Sequence, residues 1–201
     1  LEDALEIGRK HIALLSQVDL VYDDLFSTSR SDFTPSYIVD ETIIGLGPRV
    51  VQPNDFVSGR IHFNRCNNDR RMKFERGVYR DFVLISPNCA FTFAGGVSLE
   101  NVMIVTENGW DRSFFSFNRL SLGNQDDCGA GKGAVLMANG GGYFSAGLFA
   151  VGSQIITNKL LFIESGDNKR NVLRGSSLLS GGSLVLGDNN DISSCNNDGK
   201  I

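Results

Sequence analysis

After Pro48 the chain alternates short apolar bursts with breaks rich in glycine and asparagine. Two stretches show the rule. Residues 152–165 read GSQIITNKLLFIES and residues 175–188 read GSSLLSGGSLVLGD. They align without a gap at an offset of 23, so that Ile155-Ile156 fall on Leu178-Leu179 and Leu161-Phe162-Ile163 fall on Leu184-Val185-Leu186. The pattern extends backwards. Leu136-Met137 precede Ile155-Ile156 by 19, Leu84-Ile85 precede Met103-Ile104 by 19, and Ile61 precedes Leu84 by 23. The wider gap from Met103 to Leu136 holds a Gly- and Asp-rich insertion, GNQDDCGAGKG, at residues 123–133.

The unit is therefore 19–23 residues long and recurs about six times, with two or three apolar bursts in each. Helical repeats need longer periods, and the Leu/Asn frame of a leucine-rich repeat is missing. A parallel β-helix remains, in which each coil of short strands buries its apolar side chains only by stacking on the next. Alternations such as Phe91-Thr92-Phe93 and Val97-Ser98-Leu99 fit strands with one side facing in. The expected fold is all-β: a parallel β-helix of about six coils over residues 48–201.

Cysteine spacing tests this register. Cys66 and Cys89 are also 23 apart. Equivalent residues of adjacent coils sit about 4.8 Å apart, inside the roughly 4.4–6.8 Å Cα separation of a disulfide. A Cys66–Cys89 bridge between neighbouring coils is expected. Elimination leaves Cys128 with Cys195. The register sets these about three coils apart, so their pairing requires the insertion to fold along the stack.

Residues 1–47 differ. Leu1, Leu5, Ile12, Leu15, Val18 and Leu25 recur at three-, four- and seven-residue spacings among charged positions. This predicts an amphipathic helix over 1–26 with one buried face. A polar linker, 27–47, follows, extended before Pro35. The helix is expected to pack on the solenoid or cap its first coil. At the other end CNNDGKI shields the last coil only partly, and that end is a candidate assembly surface if the parent protein ends here.

Composition narrows the chemistry. Hydrophobic residues make up 41 % of the chain, enough for a core, and a net charge of −4 argues against a nucleic-acid binder. The two histidines, His11 and His62, lie far apart with no ligand-type neighbours, which starves a zinc site or a serine triad of parts. His62 alternates with Ile61 and Phe63 and is expected to point outward. Asp126-Asp127 is the best carboxylate pair, but solvated loop acids are the plainer reading. GAGKG ends in Gly133 where a phosphate loop needs Ser or Thr, and NNDGK at 196–200 stops before a calcium-loop glutamate. No catalytic residue, metal or cofactor is assigned. One local basic run remains: Arg60, Arg65, Arg70, Arg71, Lys73, Arg76 and Arg80. It is a possible binding face for anionic surface glycan, lipid headgroups or an acidic partner, or a solvated outer face alternating with Met72, Phe74 and Val78.

The run GAVLMANGGGYFSAGLFAVGSQII, then GSSLLSGG and a late cysteine, resembles the C-terminal half of TadE/TadG-like proteins of the Flp/Tad (tight-adherence) pilus-assembly system. PSYI followed by DFVSGRIHFNRC, and GGVSLENVMIVT followed by DDCGAGKGAVLM, are similar to the same proteins. The last coil, SLVLGDNNDISSC, departs from their Thr-, Ser- and Asn-rich continuation. The resemblance implies a bacterial envelope protein, periplasmic or at the cell surface, with Cys66, Cys89, Cys128 and Cys195 as structural cysteines. It also implies a membrane segment upstream of Leu1, and the chain reads as a piece of a longer protein. The expected function is non-enzymatic: a structural or assembly component with protein partners in a pilus or secretion apparatus. A β-helical polysaccharide-binding or polysaccharide-degrading module is the alternative, and a phage or adhesin fibre fragment a third.

Overall fold

The structure, a computed structural model, describes residues 38–40, 49–64, 66, 71–86, 88–124, 133–166 and 170–195. The described residues open with β1 (Ile38–Asp40), β2 (Arg49–Val51), a 3-10 turn (Pro53–Asp55), β3 (Arg60–Phe63) and β4 (Arg71–Phe74). Five complete coils follow among the described residues. They are β5 (Gly77–Ser86) with β6 (Ala90–Phe93), and β7 (Val97–Thr106) with β8 (Phe114–Ser116). Next come β9 (Leu120–Leu122), β10 (Val135–Ala138) and β11 (Gly142–Phe144), then β12 (Leu148–Val151), β13 (Gln154–Thr157) and β14 (Leu161–Ile163). The fifth holds β15 (Asn171–Arg174), β16 (Ser177–Ser180) and β17 (Leu184–Leu186), and β18 (Asn190–Ser193) starts another.

All pairings are parallel, from each coil to the next. The result is a three-sided parallel β-solenoid. The first face stacks the leading half of β5 and β7 with β9, β12, β15 and β18; the second stacks β1, β3, the trailing half of β5 and β7, β10, β13 and β16. The third stacks β2, β4, β6, β8, β11, β14 and β17. No α-helix occurs among the described residues, and the predicted helix over 1–26 lies outside them. β1 pairs with β3, so solenoid pairing reaches into the segment assigned to the linker.

A ladder of small or left-handed residues makes the corner between the first and second faces. The strand register aligns Gly59, Asp81, Asn101, Gly133, Gly152 and Gly175 there. Asp81 and Asn101 carry positive φ values of 58° and 53°, and the Asn101 amide donates to the Asp81 carboxylate at 2.8 Å. Short polar side chains and glycine are the residues that tolerate this conformation. At Gly175 (φ 53°) a Cβ would also run into the Cys195 sulfur.

The inner rows confirm the alternation read in 91–93 and 97–99: Phe91, Phe93, Val97 and Leu99 are buried and Thr92 and Ser98 are not. Early coils fill with stacked rings, Phe56 on Phe82 at 4.2 Å and Phe91 on Phe114 at 5.9 Å. Later coils fill with Leu120, Leu136, Leu148, Ile155, Leu161 and Ile163, all fully buried.

Two expectations fail by one residue. Ile61 pairs with Val83, not Leu84, and Leu84 pairs with Ile104. A one-residue slip moves a side chain to the other face of a strand, so His62, aligned with Leu84, is buried rather than outward. Val78 likewise points out, 42 % exposed, while its neighbour Tyr79 is buried.

Candidate functional site

The predicted basic face divides. Arg71 and Lys73 lie exposed on β4 of the third face, Arg76 at the following corner, and Arg80 on β5 of the first face. Arg71 sits over the Trp110 ring at 5.9 Å. Lys73 pairs with Glu75 at 2.7 Å and Arg80 with Glu100 at 2.7 Å. The hydrogen bond and charge of Glu100 raise the already high pKa of Arg80. Arg60 belongs to β3 on the second face, and Arg65 and Arg70 lie outside the described residues. The four described side chains thus spread over two faces and their shared corner.

The expected bridge is present, although the offset of 22 between β3 and β5 sets Cys66 level with Asn88, one residue short of Cys89. Cys66 and Cys89 form a disulfide with a Cα separation of 5.2 Å. Around it Asn88 accepts from the Cys66 N–H at 3.0 Å and donates to its carbonyl at 2.9 Å, and Asn108 donates to the Asn88 carbonyl at 2.7 Å. Cys195 is also disulfide-bonded. Cys128, Asp126, Asp127 and the NNDGK run at 196–200 lie outside the described residues.

His62 packs edge-on against Phe56 and Phe82, with ring centroids 5.3 and 5.8 Å away, and its Nε2 accepts from the Val57 N–H at 3.2 Å. This is a core packing position. Tyr79 is buried and its hydroxyl reaches the carbonyls of Val51 and Glu75 at 2.8 and 2.9 Å. Burial is the main cause that raises the pKa of this phenol.

A shallow open recess of about 490 Å³ lies on the first face, with Glu100, Arg119, Ser121 and Phe149 in its wall. Its acid is engaged by Arg80, and the Arg119 guanidinium covers the Phe149 ring at 5.5 Å. Among the described residues no three His, Cys, Asp or Glu side chains gather to hold a metal, and no helix is long and apolar enough to cross a membrane.

The outer side of the third face carries a feature the sequence reading missed. Phe115, Tyr143 and Phe162 alternate with buried neighbours on β8, β11 and β14 and align in one row. Their rings stack: Phe115 on Tyr143 at 5.7 Å, Tyr143 on Phe162 at 4.8 Å with planes 7° apart. Phe117, 66 % exposed, meets Phe115 edge-on at 4.3 Å. The Arg112 guanidinium lies over Phe115 and Tyr143 at 5.4 and 4.7 Å. Val185 continues the row onto β17, 39 % exposed. The row was hidden because its register crosses the insertion after β9.

The chain matches the model of a family described as a domain of unknown function (DUF7867) over residues 1–196, and it belongs to that family. No curated protein and no solved structure matches it.

Proposed function

We propose that this DUF7867 member is a non-catalytic scaffold that docks a protein partner on the aromatic stripe of its third face. The stripe of Phe115, Tyr143 and Phe162, flanked by Phe117 and Arg112, carries the reading. Aromatic residues and arginine are the types enriched at protein interfaces and their hot spots. Sugar binding favours an open ring face, whereas here the ring faces lie on one another and leave edges outward. Three of the described acids are engaged: Glu100 by Arg80, Asp111 by Lys159, and Asp191 by Arg174. The Cys66–Cys89 bridge suits an oxidising compartment, periplasmic or at the cell surface. The tight-adherence pilus reading rests on the sequence resemblance and would make the partner an assembly protein of that apparatus.

The test is a photo-crosslinking amino acid placed at Phe117 and, as a control, at Val78 on the first face, in the native organism. A discrete protein adduct is expected at 117 and not at 78, and it should weaken when Phe162→Ser interrupts the stripe. Equal adducts at both positions, or none at 117, would sink the proposal. A glycan-array signal lost in Phe162→Ser would replace it with polysaccharide binding.

A further inference from the structure

Two arginines beside the aromatic stripe are held by rings rather than by acids. The loop from β7 to β8 supplies the exposed side chains of Trp110 and Arg112. Arg112 crosses to Phe115 and Tyr143, at 5.4 and 4.7 Å, while Arg71 on β4 reaches the Trp110 ring at 5.9 Å. Neither guanidinium pairs with a carboxylate among the described residues. Glu75 is held by Lys73 at 2.7 Å and Asp111 by Lys159 at 3.1 Å. Glu107 begins the loop but pairs with neither arginine, and Glu164 stands on the opposite edge of the face, level with Phe117. The register sets Arg71 level with Ser113, the neighbour of Arg112, two strand spacings away or about 10 Å along the stack. Both cations therefore line the edge of the third face where its strands begin. A guanidinium laid on a ring keeps its charge and its fork of N–H donors for a second partner.

We propose that the protein docked on the stripe presents an acidic segment, whose carboxylates engage Arg112 and Arg71 while its apolar side chains cover the ring edges of Phe115, Tyr143 and Phe162. The inference rests on the stripe being a protein-docking site and adds the charge of what docks there. A neutral segment laid on the rings would strip water from Arg112 and supply no acceptor, which is costly. A basic segment would add repulsion to that cost. A carboxylate meets two N–H groups of the fork at once. The net charge of −4 gives this chain no long-range attraction for an acidic segment. Selectivity therefore comes from contact at these two side chains, and salt weakens it.

Panning a random dodecapeptide phage library against the immobilised 201-residue chain tests this. Enriched sequences should combine Asp or Glu with aliphatic or aromatic residues. The strongest of them, made synthetically, should bind in fluorescence anisotropy. Arg112→Gln and Arg71→Gln, both at exposed positions, should each weaken that binding by about tenfold with circular dichroism unaltered. Phe162→Ser should weaken it too. Arg112→Lys keeps the charge but loses the fork, and should recover only part of the loss. Apolar sequences without acids, lost in Phe162→Ser but kept in both glutamine variants, would overturn the acidic partner and leave docking on the stripe standing. Acidic sequences indifferent to both glutamine variants would overturn the placement at Arg71 and Arg112. Acidic sequences that bind Phe162→Ser unchanged would overturn the stripe's part in docking, and no enriched sequence at all would overturn both readings.

Discussion

Breaking the Cys66–Cys89 bond should cost more than any single surface contact in this chain. The bond closes a loop of 23 residues, one coil of the solenoid. In the chain-entropy account, releasing such a loop in the unfolded state is worth about 3.4 kcal/mol at 25 °C. For a chain of this length each kcal/mol shifts the melting temperature by about 2–4 °C, so reduction should lower it by about 7–14 °C. Replacing both cysteines by alanine should cost more than reduction. Asn64 is buried, and its amide approaches the Cys89 sulfur at 3.2 Å and the Cys66 sulfur at 3.8 Å. Removing both sulfurs takes those contacts away, for about 1 kcal/mol more.

The assay is thermal unfolding followed by far-ultraviolet circular dichroism. Cys195 is also disulfide-bonded, so the measurement belongs in a Cys128→Ala, Cys195→Ala background where one bond remains. The expected order is oxidised, then reduced, then the Cys66→Ala, Cys89→Ala form. A drop below about 2 °C on reduction, with the linked peptide confirmed beforehand, would refute the reasoning. It would mean that the coil between residues 66 and 89 opens apart from the rest, and that the loop entropy is not felt by the cooperative unit.

Three further outcomes are expected. Gly141→Ala should destabilise by about 1–3 kcal/mol, because its Cβ would meet the Asp111 and Leu160 carbonyl oxygens, while Gly109→Ala, with open space around it, should be near neutral in the same denaturant titration. Leu136→Ala, in the fully buried second-face row, should cost about 2–5 kcal/mol, whereas Leu184→Ala, 43 % exposed on β17, should cost far less. Tyr79 binds its proton more tightly folded than unfolded. Above the ordinary tyrosine pKa of about 10 the unfolded state therefore holds fewer protons, and stability falls as pH rises. Tyr79→Phe should flatten that alkaline loss in urea midpoints taken at pH 8 and pH 11, and an unchanged slope would assign it to other groups.

The solenoid was legible because each coil repeats one physical demand, an apolar row that only the next coil can cover. Leu136, Ile155 and Leu178 carry that row at the spacings of the bursts. Cys66 and Cys89 were legible through the same stacking, which brings adjacent coils within disulfide reach even for residues one place off the strand offset of 22. The aromatic stripe was not. Phe115 and Tyr143 are 28 residues apart, on opposite sides of the insertion, while Tyr143 and Phe162 are 19 apart. Apolar side chains on the outer face also look like core in a one-dimensional pattern. The four described side chains of the basic run do not share a face because β4 and β5 meet at a corner, so Arg71 and Lys73 lie on one side of it and Arg80 on the other.

The burial of His62 shows which signal carries register. Apolar bursts of two or three residues align equally well one position apart, and the offset of 23 chosen for Ile61 and Leu84 missed the true 22. The corner is less forgiving, because one position per coil must turn left-handed or lie too close to its neighbour for a side chain. Gly59, Asp81 and Asn101 mark it in the early coils, with φ values of 74°, 58° and 53°. Their spacings of 22 and 20 are the pairing offsets of β3 with β5 and of β5 with β7. Gly133, Gly152 and Gly175 continue at 19 and 23, the offsets of β10, β13 and β16. Aligning the chain on these six positions alone places His62 opposite Leu84, inside. The steric constraint at the bend thus specifies the register of a coil more sharply than hydrophobicity does, since a leucine can stand one place along and a left-handed residue cannot.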